Sequence, residues 1–456
     1  MNRYRAQTTA WYAAGPERPA NRSDTDARDN QHADQTGWYD HRFIRPRRVV
    51  SPMTLFDPAR HELLIETAWD EHTARATIQY IAAGTHARFN PDTYWPTHSL
   101  DGGPSRTLTQ LYHGACGTFW ALAFLESIGA AAPAVDYAPH YSTLLERNRI
   151  ALQDESARSL ASYMMGDVPI LLLEYERTPT EQLADNLAAL ILSNLDNPAR
   201  ELMWGSPGTL LAAKFLYEHT SDERWADLFR LTADKLWSEL LWSPEYACFY
   251  WTQDLYGKQS TYLDSIHGFV ATAVPLIAGR HLLSEECWNG WRERITTTIA
   301  RTAVVDDAKA NWHAQLIREN SHAAPHLMQF CHGAPGFVIC LANMPGDELD
   351  ALLLAAGEAT WAAGPLKKGS NLCHGTGGNG FAFLSLYRRT GDSRWLHRAR
   401  AFAMHGIAQT MEAERQYGQL RYSLWTGDPG FAIYLWNCIH GTALFPTLDL
   451  FFADFK

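Results

Sequence analysis

The chain has 456 residues, of which 46% are hydrophobic and 20% charged, a balance typical of a globular protein with an extensive core. Its formal net charge of −11 at pH 7 argues against general binding of nucleic acid or of an anionic membrane surface. No stretch approaches the roughly 18 apolar residues of a membrane span, and the N-terminal segment lacks the apolar run of a secretion signal. We therefore expect a cytoplasmic protein that acts on a small molecule or a peptide.

Residues 1–60 are predicted to form a polar arm that wraps the rest of the chain or is partly disordered. Up to about Val50 the segment mixes charges of both signs and shows no apolar period. We assign residues 61–456 to one main domain, in which helical patterns dominate.

Two kinds of helix alternate along this domain. Segments such as 146–155, 181–190 and 223–231 place apolar residues three and four positions apart, with charged residues between them. This pattern predicts amphipathic helices on the outside. Other segments open with glycine and stay small or apolar on nearly every face, as in 205–213 and 378–386, which predicts helices in the interior.

The glycine-opened segments form an internal repeat. Seven such segments begin at Gly114, Gly166, Gly205, Gly268, Gly333, Gly375 and Gly427. Even the shortest interval, from 166 to 205, leaves room for one inner helix, one outer helix and two loops. We therefore predict an all-α fold of seven helical hairpins closed into a ring, in which glycine lets the helix starts converge at a crowded centre.

The tripeptide Cys-His-Gly occurs twice, and its glycine is each time the first residue of one of these segments. The copies are Cys331-His332-Gly333 and Cys373-His374-Gly375, whereas the composition alone predicts about 0.02 copies in the chain. An odd number of cysteines, seven, without a secretion signal also favours metal or thiol chemistry over a disulfide framework. Because zinc prefers thiolate and imidazole ligands, the repeated tripeptide predicts a metal site.

These motifs resemble those of the lanthionine synthetase C-like proteins. Segments 330–337 and 372–379 are similar to the family's two metal-ligand motifs, and supporting similarities lie in 201–205, 266–268, 366–369 and 423–427. The resemblance covers roughly residue 105 to the C-terminus. It implies an α/α toroid of seven inner and seven outer helices with one zinc ion at its centre.

The resemblance also implies roles for individual residues. Cys331, Cys373 and His374 match the family's zinc ligands, and three protein ligands with an open fourth position are typical of a catalytic zinc site. In the family's lantibiotic cyclases a peptide thiol adds to dehydroalanine or dehydrobutyrine, and His267 matches the histidine usually proposed as acid or base there. Glu201 is expected to orient or assist His267.

Two departures from the cyclases resemble the eukaryotic-type branch of the family, which binds glutathione. Glu201 stands where the cyclases carry Asp, and His332, expected in the catalytic site but off the metal, stands where they carry Tyr. Lys368 matches a lysine of that branch associated with glutathione, and its cation can pair with a carboxylate of the tripeptide. The resemblance therefore favours zinc-dependent addition of glutathione to a dehydroamino acid in a peptide or protein.

Three alternatives stay open. The chain is a cyclase that forms lanthionine within a peptide, or a regulatory protein that binds zinc or glutathione without turnover, or a carbohydrate-active toroid. The last is suggested by the 17 Trp residues and by acids at Asp101, Glu201 and Asp254, although no two acids stand out as a catalytic pair.

Overall fold

Inner and outer helices alternate along the chain, as predicted. The computed structural model describes residues 55–103, 107–153, 160–316 and 326–453, and these carry fourteen α-helices. The outer helices are α1 Glu71–Ala87, α3 Tyr141–Ala151, α5 Glu181–Ser193, α7 Glu223–Ser238, α9 Glu285–Thr302, α11 Asp350–Ala363 and α13 Ser393–Tyr417. The inner helices are α2 Ala115–Ser127, α4 Val168–Arg177, α6 Ser206–Thr220, α8 Phe269–Ala278, α10 Ala334–Leu341, α12 Thr376–Thr390 and α14 Asp428–His440.

The inner helices form the core because they are buried on every face. All residues of α10 are buried, and so are residues 206–216 of α6 and 376–386 of α12. The outer helices bury one face only: α7 turns Trp225, Phe229 and Leu236 inwards. None of the described helices is long and apolar enough to cross a lipid bilayer.

Backbone hydrogen bonds join most of the turns that precede the inner helices to the next turn around the ring. The links join residues two positions before the repeat glycines, from Tyr112 N to Met164 O, Met164 N to Met203 O, Cys331 N to Cys373 O, and Cys373 N to Trp425 O. Trp425 N donates to Tyr112 O at 3.2 Å, which joins the last turn to the first. On the outside, α1 packs against α14, so the first outer helix completes the last hairpin.

The repeat glycines permit the close approach at the centre. Six of the seven are the N-cap residues of inner helices, and Gly166 lies two residues before α4. A Cβ atom on Gly205 would lie 2.7 Å from the backbone nitrogen of Glu201, too close for any other residue. Gly333 also has φ +108°, a conformation that L side chains rarely adopt.

Three short antiparallel hairpins, not predicted from the sequence, fill the two longest intervals of the repeat. They pair β1 Leu241–Ser243 with β2 Cys248–Tyr250, β3 Gln253–Leu255 with β4 Lys258–Ser260, and β5 Val304–Asp306 with β6 Lys309–Asn311. Strands of three residues are too short to show an alternating pattern, so no sequence signal predicts them.

The first described residues, 55–66, lie against the loop that precedes the second Cys-His-Gly tripeptide. We name them the N-terminal strap. Glu62 N donates to Pro365 O at 3.0 Å, and Lys367 N donates to Arg60 O at 3.1 Å. On the outer side, Glu62 Oε1 lies 2.7 Å from His405 Nε2. Residues 1–54 of the predicted arm lie outside the described residues, and the boundary at residue 60 stays a prediction.

Candidate metal centre and its acid–base residues

The candidate site is built from equivalent positions of the seven turns that precede the inner helices. Four residues before each glycine stands a polar residue: Gln110, Ser162, Glu201, Asp264, Gln329, Asn371 and Ser423. Several of these side chains accept a backbone N–H further along the turn, as Asn371 Oδ1 does from His374 at 3.0 Å. Such bonds fix the two residues directly before the glycine, which is where both Cys-His pairs stand.

Cys331, Cys373 and His374 converge although they belong to two hairpins. Their two Sγ atoms and one imidazole nitrogen lie within 4.8 Å of one another, and all three side chains are buried. The convergence follows from the ring, because the bond from Cys331 N to Cys373 O holds the two turns side by side. Within the described ranges, no other group of three His, Cys, Asp or Glu residues is close enough to hold a metal ion.

The chemistry of these donors fits zinc. Two sulfurs and one imidazole are a typical set of zinc ligands, and they leave one tetrahedral position for another molecule. Burial lowers the pKa of His374, which favours the neutral imidazole that binds metals. Burial also raises the pKa of the Cys331 thiol, and the neighbouring Cys373 raises it further, so a nearby cation favours the thiolate of Cys331.

Two further side chains contact the sulfur atoms. Tyr112 Oη lies 2.9 Å from Cys373 Sγ, and Gln329 Nε2 lies 2.9 Å from Cys331 Sγ. Gln329 Oε1 in turn accepts a hydrogen bond of 3.4 Å from Arg60 of the N-terminal strap. Cys331 thus contacts a polar group of its own turn, and Cys373 contacts one from the first turn of the ring.

Two histidine–carboxylate pairs lie in adjacent turns of the ring. His267 Nδ1 is 2.8 Å from Glu201 Oε2, and His332 Nδ1 is 2.8 Å from Asp264 Oδ2. The Tyr262 ring contacts both imidazoles, with centroid distances of 5.7 Å to His267 and 6.4 Å to His332. The structure thus brings Glu201 and His267 together and gives His332, which directly follows Cys331, a carboxylate of its own.

The carboxylates control the charge of the two imidazoles. Burial lowers the pKa of His267, but the hydrogen bond to Glu201 and the charges of Glu201 and Asp264 outweigh it and raise this pKa. For His332, burial again lowers the pKa, and the charge of Asp264 is the largest influence that raises it, with a net rise. Both imidazoles therefore hold a proton more readily than an exposed histidine does.

Glu201 also fixes which nitrogen of His267 carries a proton. Its carboxylate accepts backbone N–H groups from Met203 at 2.9 Å and from Trp204 at 2.6 Å, as an ionised acceptor does. His267 Nδ1 must then donate to the same carboxylate. Proton exchange with a bound substrate therefore falls to Nε2.

Lys368 lies on the loop before Cys373, close to the thiols and to other cations. Solvent reaches its side chain. Partial burial lowers its pKa, Cys331 and Cys373 raise it, and the charges of Arg60 and Arg421 lower it, with a net decrease. The charges of Arg60, Arg421 and the two cysteines thus act on the Lys368 ammonium group.

The acids considered for a carbohydrate-active enzyme do not pair with one another in this structure. Asp101 forms two hydrogen bonds with Arg421, of 2.7 and 2.5 Å. Glu201 forms hydrogen bonds with His267 and with backbone N–H groups, while Asp254 is exposed on β3.

Sequence reasoning missed Asp264, Tyr112 and Gln329. A signal for Asp264 was present, because it stands four residues before its glycine, as Glu201 does. The contacts that Tyr112 and Gln329 make with sulfur depend on the reach of their side chains, which no sequence pattern reports.

Known proteins resemble this chain in sequence and in fold. The model of the lanthionine synthetase C-like protein family matches residues 107–450. The zebrafish (Danio rerio) protein Glutathione S-transferase LANCL1 is 41% identical over 81 residues, 17% of this chain and 20% of its own. The LanC-like protein GCL1 of Arabidopsis thaliana is 38% identical over 118 residues, 24% of this chain and 27% of its own. The matched stretches thus span about a fifth and about a quarter of these relatives.

A solved structure shows the same fold. Nisin cyclase aligns with a TM-score of 0.56 at 16% sequence identity, covering 84% of this chain and 98% of that chain. At this identity the likeness concerns the fold alone, and it agrees with an α/α toroid.

Proposed function

The chain belongs to the lanthionine synthetase C-like family, and on that premise we propose that it adds a thiol to the double bond of a dehydroamino acid to form a thioether. The proposed thiol is glutathione, and the proposed acceptor is dehydroalanine or dehydrobutyrine in a peptide or protein. The proposal is carried by the convergence of Cys331, Cys373 and His374 within 4.8 Å, next to the turn that bears the His267–Glu201 pair.

One Zn²⁺ ion held by Cys331, Cys373 and His374 would bind the substrate thiol at the open fourth position and lower its pKa, making a thiolate available near neutral pH. The remaining work falls to the side chains of the chain itself.

His267 is the proposed proton donor. When the thiolate attacks the β-carbon, a carbon–sulfur bond forms and the π electron pair moves to the carbonyl oxygen as an enolate. The α-carbon must then take up a proton, equivalent to the one that the thiol lost. His267 Nε2 delivers it, and the raised pKa of this ring favours the imidazolium that carries the proton.

His332 is the proposed stabiliser of the enolate oxygen. It directly follows Cys331, and its Nδ1 is paired with Asp264 at 2.8 Å. Its pKa is also raised, so a protonated ring offers an N–H to the negative charge that develops on the oxygen. In this proposal His267, paired with Glu201, transfers the proton, and His332, paired with Asp264, stabilises the negative charge on the enolate oxygen.

Lys368 is the proposed contact for a carboxylate of glutathione. Its side chain is accessible, and it stands five residues before Cys373, where a thiol on the metal would be within reach of a tripeptide's length. A hydrogen bond between two charged groups is about twice as strong as a neutral one. Arg60 and Arg421 add positive charge to the same region.

The test is mass spectrometry of a dehydroalanine-containing peptide incubated with the zinc-loaded protein, with and without glutathione. Addition is expected to increase the peptide mass by one glutathione, and Cys373→Ala is expected to abolish this. Cys340→Ala is a matched control, because Cys340 is buried in α10 and is not one of the three converging ligands.

A second peptide that contains both Cys and dehydroalanine separates the alternatives. Cyclisation leaves its mass unchanged but removes its free thiol, which alkylation detects; cyclisation without any glutathione adduct would indicate a peptide cyclase. No product in either assay, with zinc bound, would contradict an enzyme and favour a binding protein.

A further inference from the structure

Each of the two sulfur atoms in the candidate metal centre has its own polar neighbour. Tyr112, from the first turn of the ring, places its hydroxyl 2.9 Å from Cys373 Sγ. Gln329, from the fifth turn, places its amide nitrogen 2.9 Å from Cys331 Sγ. Both groups can donate a hydrogen bond, and a thiolate can only accept one.

The amide of Gln329 is oriented by a contact on its other side. Its Oε1 accepts from the Arg60 guanidinium at 3.4 Å. Because an arginine has only donors, the amide oxygen must face Arg60, and the amide NH₂ group must then face Cys331. The orientation of the donor towards sulfur therefore has an independent structural reason.

Gln329 also differs from its counterparts in other turns. Glu201, Asp264 and Asn371 occupy the same repeat position and use their side chains to accept N–H groups of their own turns. In the fifth turn the backbone closes the loop instead, through two 3.1 Å hydrogen bonds that Gln329 and His332 exchange. The side chain of Gln329 is thereby available to contact the sulfur.

We propose that Tyr112 and Gln329 are positioning residues that donate one hydrogen bond each to the thiolate ligands, Tyr112 to Cys373 and Gln329 to Cys331. The inference rests on the metal site of the proposed function. Two thiolates and a bound substrate thiolate bring three negative charges to one divalent ion. Hydrogen bonds that disperse the charge of the two protein thiolates leave the metal a stronger acceptor for the third.

Metal binding and spectroscopy test this inference without reference to turnover. Tyr112→Phe and Gln329→Met remove one donor each at nearly constant volume. We expect zinc affinity, measured by competition with a chelator, to fall about 10- to 100-fold in each variant. Gln329→Glu, which replaces the donor by a negative acceptor, is expected to lose more than Gln329→Met.

Cobalt substitution reports directly on the sulfur atoms. A hydrogen bond lowers the energy of sulfur lone pairs, so its removal should shift the sulfur-to-Co²⁺ charge-transfer band to longer wavelength. Two control variants remove similar groups on α1. Tyr80→Phe removes a hydroxyl bonded to Glu414 at 2.6 Å, and Gln79→Met removes an amide bonded to Ala130 O at 2.7 Å; neither should change affinity or band position.

The outcomes separate this inference from the proposed function. If the unmodified protein binds neither zinc nor cobalt, the metal site itself is wrong, and this inference fails with it. If it binds both, but the Tyr112 and Gln329 variants keep its affinity and its band position, only the hydrogen-bonding role is overturned. Far-ultraviolet circular dichroism of each variant confirms that a weaker site does not reflect loss of the helices.

Discussion

A buried carboxylate decides how His267 can take part in chemistry. Without Glu201, burial would favour a neutral ring whose two tautomers compete. With Glu201, Nδ1 keeps its proton as a donor at 2.8 Å and the pKa of the ring is raised, so the second proton, on Nε2, is the one available to a substrate.

Glu201→Gln should therefore change the pH dependence of thioether formation. Activity that needs the His267 imidazolium falls as pH rises through its pKa. Without the Glu201 charge, burial has the stronger influence on the His267 pKa and lowers it. The alkaline limb of the profile should therefore move to lower pH. The measurement is kcat/KM against pH.

A matched control for this change exists far from the metal. Glu126 lies 3.1 Å from His86, and Glu126→Gln removes the carboxylate of that pair. It should leave the pH profile as it is. An unshifted profile for Glu201→Gln as well would show that His267 does not supply the titrating proton.

The two adjacent lysines before Cys373 allow a test of glutathione recognition. Lys368→Met should raise KM for glutathione about tenfold, since a charge-assisted hydrogen bond is worth about 1.5–3 kcal/mol, and should leave KM for the acceptor peptide nearly constant. Lys367 instead donates to Ala59 O at 2.9 Å in the N-terminal strap. Equal effects of Lys367→Met and Lys368→Met on KM would rule out a specific role for Lys368.

At the scale of the element, the site depends on turns that only glycine can complete. Gly333 has φ +108°, and a Cβ atom there would lie 2.0 Å from Leu327 O. The conformation and the lack of space have one cause: the turn folds back on itself to place Cys331 and His332 before the short helix α10. Any side chain at this position must displace the backbone that carries a proposed ligand.

Gly333→Ala should lower both stability and metal affinity. Gly391→Ala is the comparison, because Gly391 has φ +71° but no atom within 4 Å of the added Cβ. Backbone strain alone costs roughly 1–2 kcal/mol. We expect a clearly larger fall in the thermal unfolding midpoint for Gly333→Ala, measured by calorimetry. Similar midpoints for the two variants would mean that the turn relaxes without difficulty.

The same turns show what a sequence can and cannot predict. Glycine spacing and apolar periods predict fourteen helices in two classes, because each is a local property of the chain. The Cys-His pairs stand out for the same reason. The hairpin β3–β4 has no local sequence signal. The pairing of His332 with Asp264 arises only because the ring brings together two turns that are far apart in the sequence.

At the scale of the whole molecule, closure of the ring buries a carboxyl group in its last turn. Asp428 begins α14, and its Oδ2 accepts the backbone N–H of Arg421 at 2.7 Å. Burial raises the pKa of Asp428 to about 6, partly opposed by the bond to Arg421. A pKa above the unfolded value of about 3.9 means that folding favours the protonated acid.

Stability should therefore fall as pH rises from about 4 to about 6. Below both values the acid is protonated in either state; between them only the folded state binds the proton, and a shift of about 2 units corresponds to about 3 kcal/mol. Asp428→Asn should remove this loss and be the more stable protein at pH 8. The measurement is the thermal unfolding midpoint of both proteins from pH 4 to pH 8. If the two midpoints change with pH in the same way, Asp428 does not have a raised pKa in the folded state.

The backbone bonds between the last three turns of the ring repeat one geometry. Cys331 N bonds to Cys373 O, and Cys373 N bonds to Trp425 O in the same way. Relative to Cys373, residues Trp425 and Thr426 therefore occupy the positions that Cys373 and His374 occupy relative to Cys331. The backbone thus offers equivalent places for a metal in consecutive sectors, and only the side chains select one of them. The side chains therefore set the position of the site around the ring, and Trp425→Cys with Thr426→His would offer a second set of ligands, one sector further on, that shares Cys373 with the first.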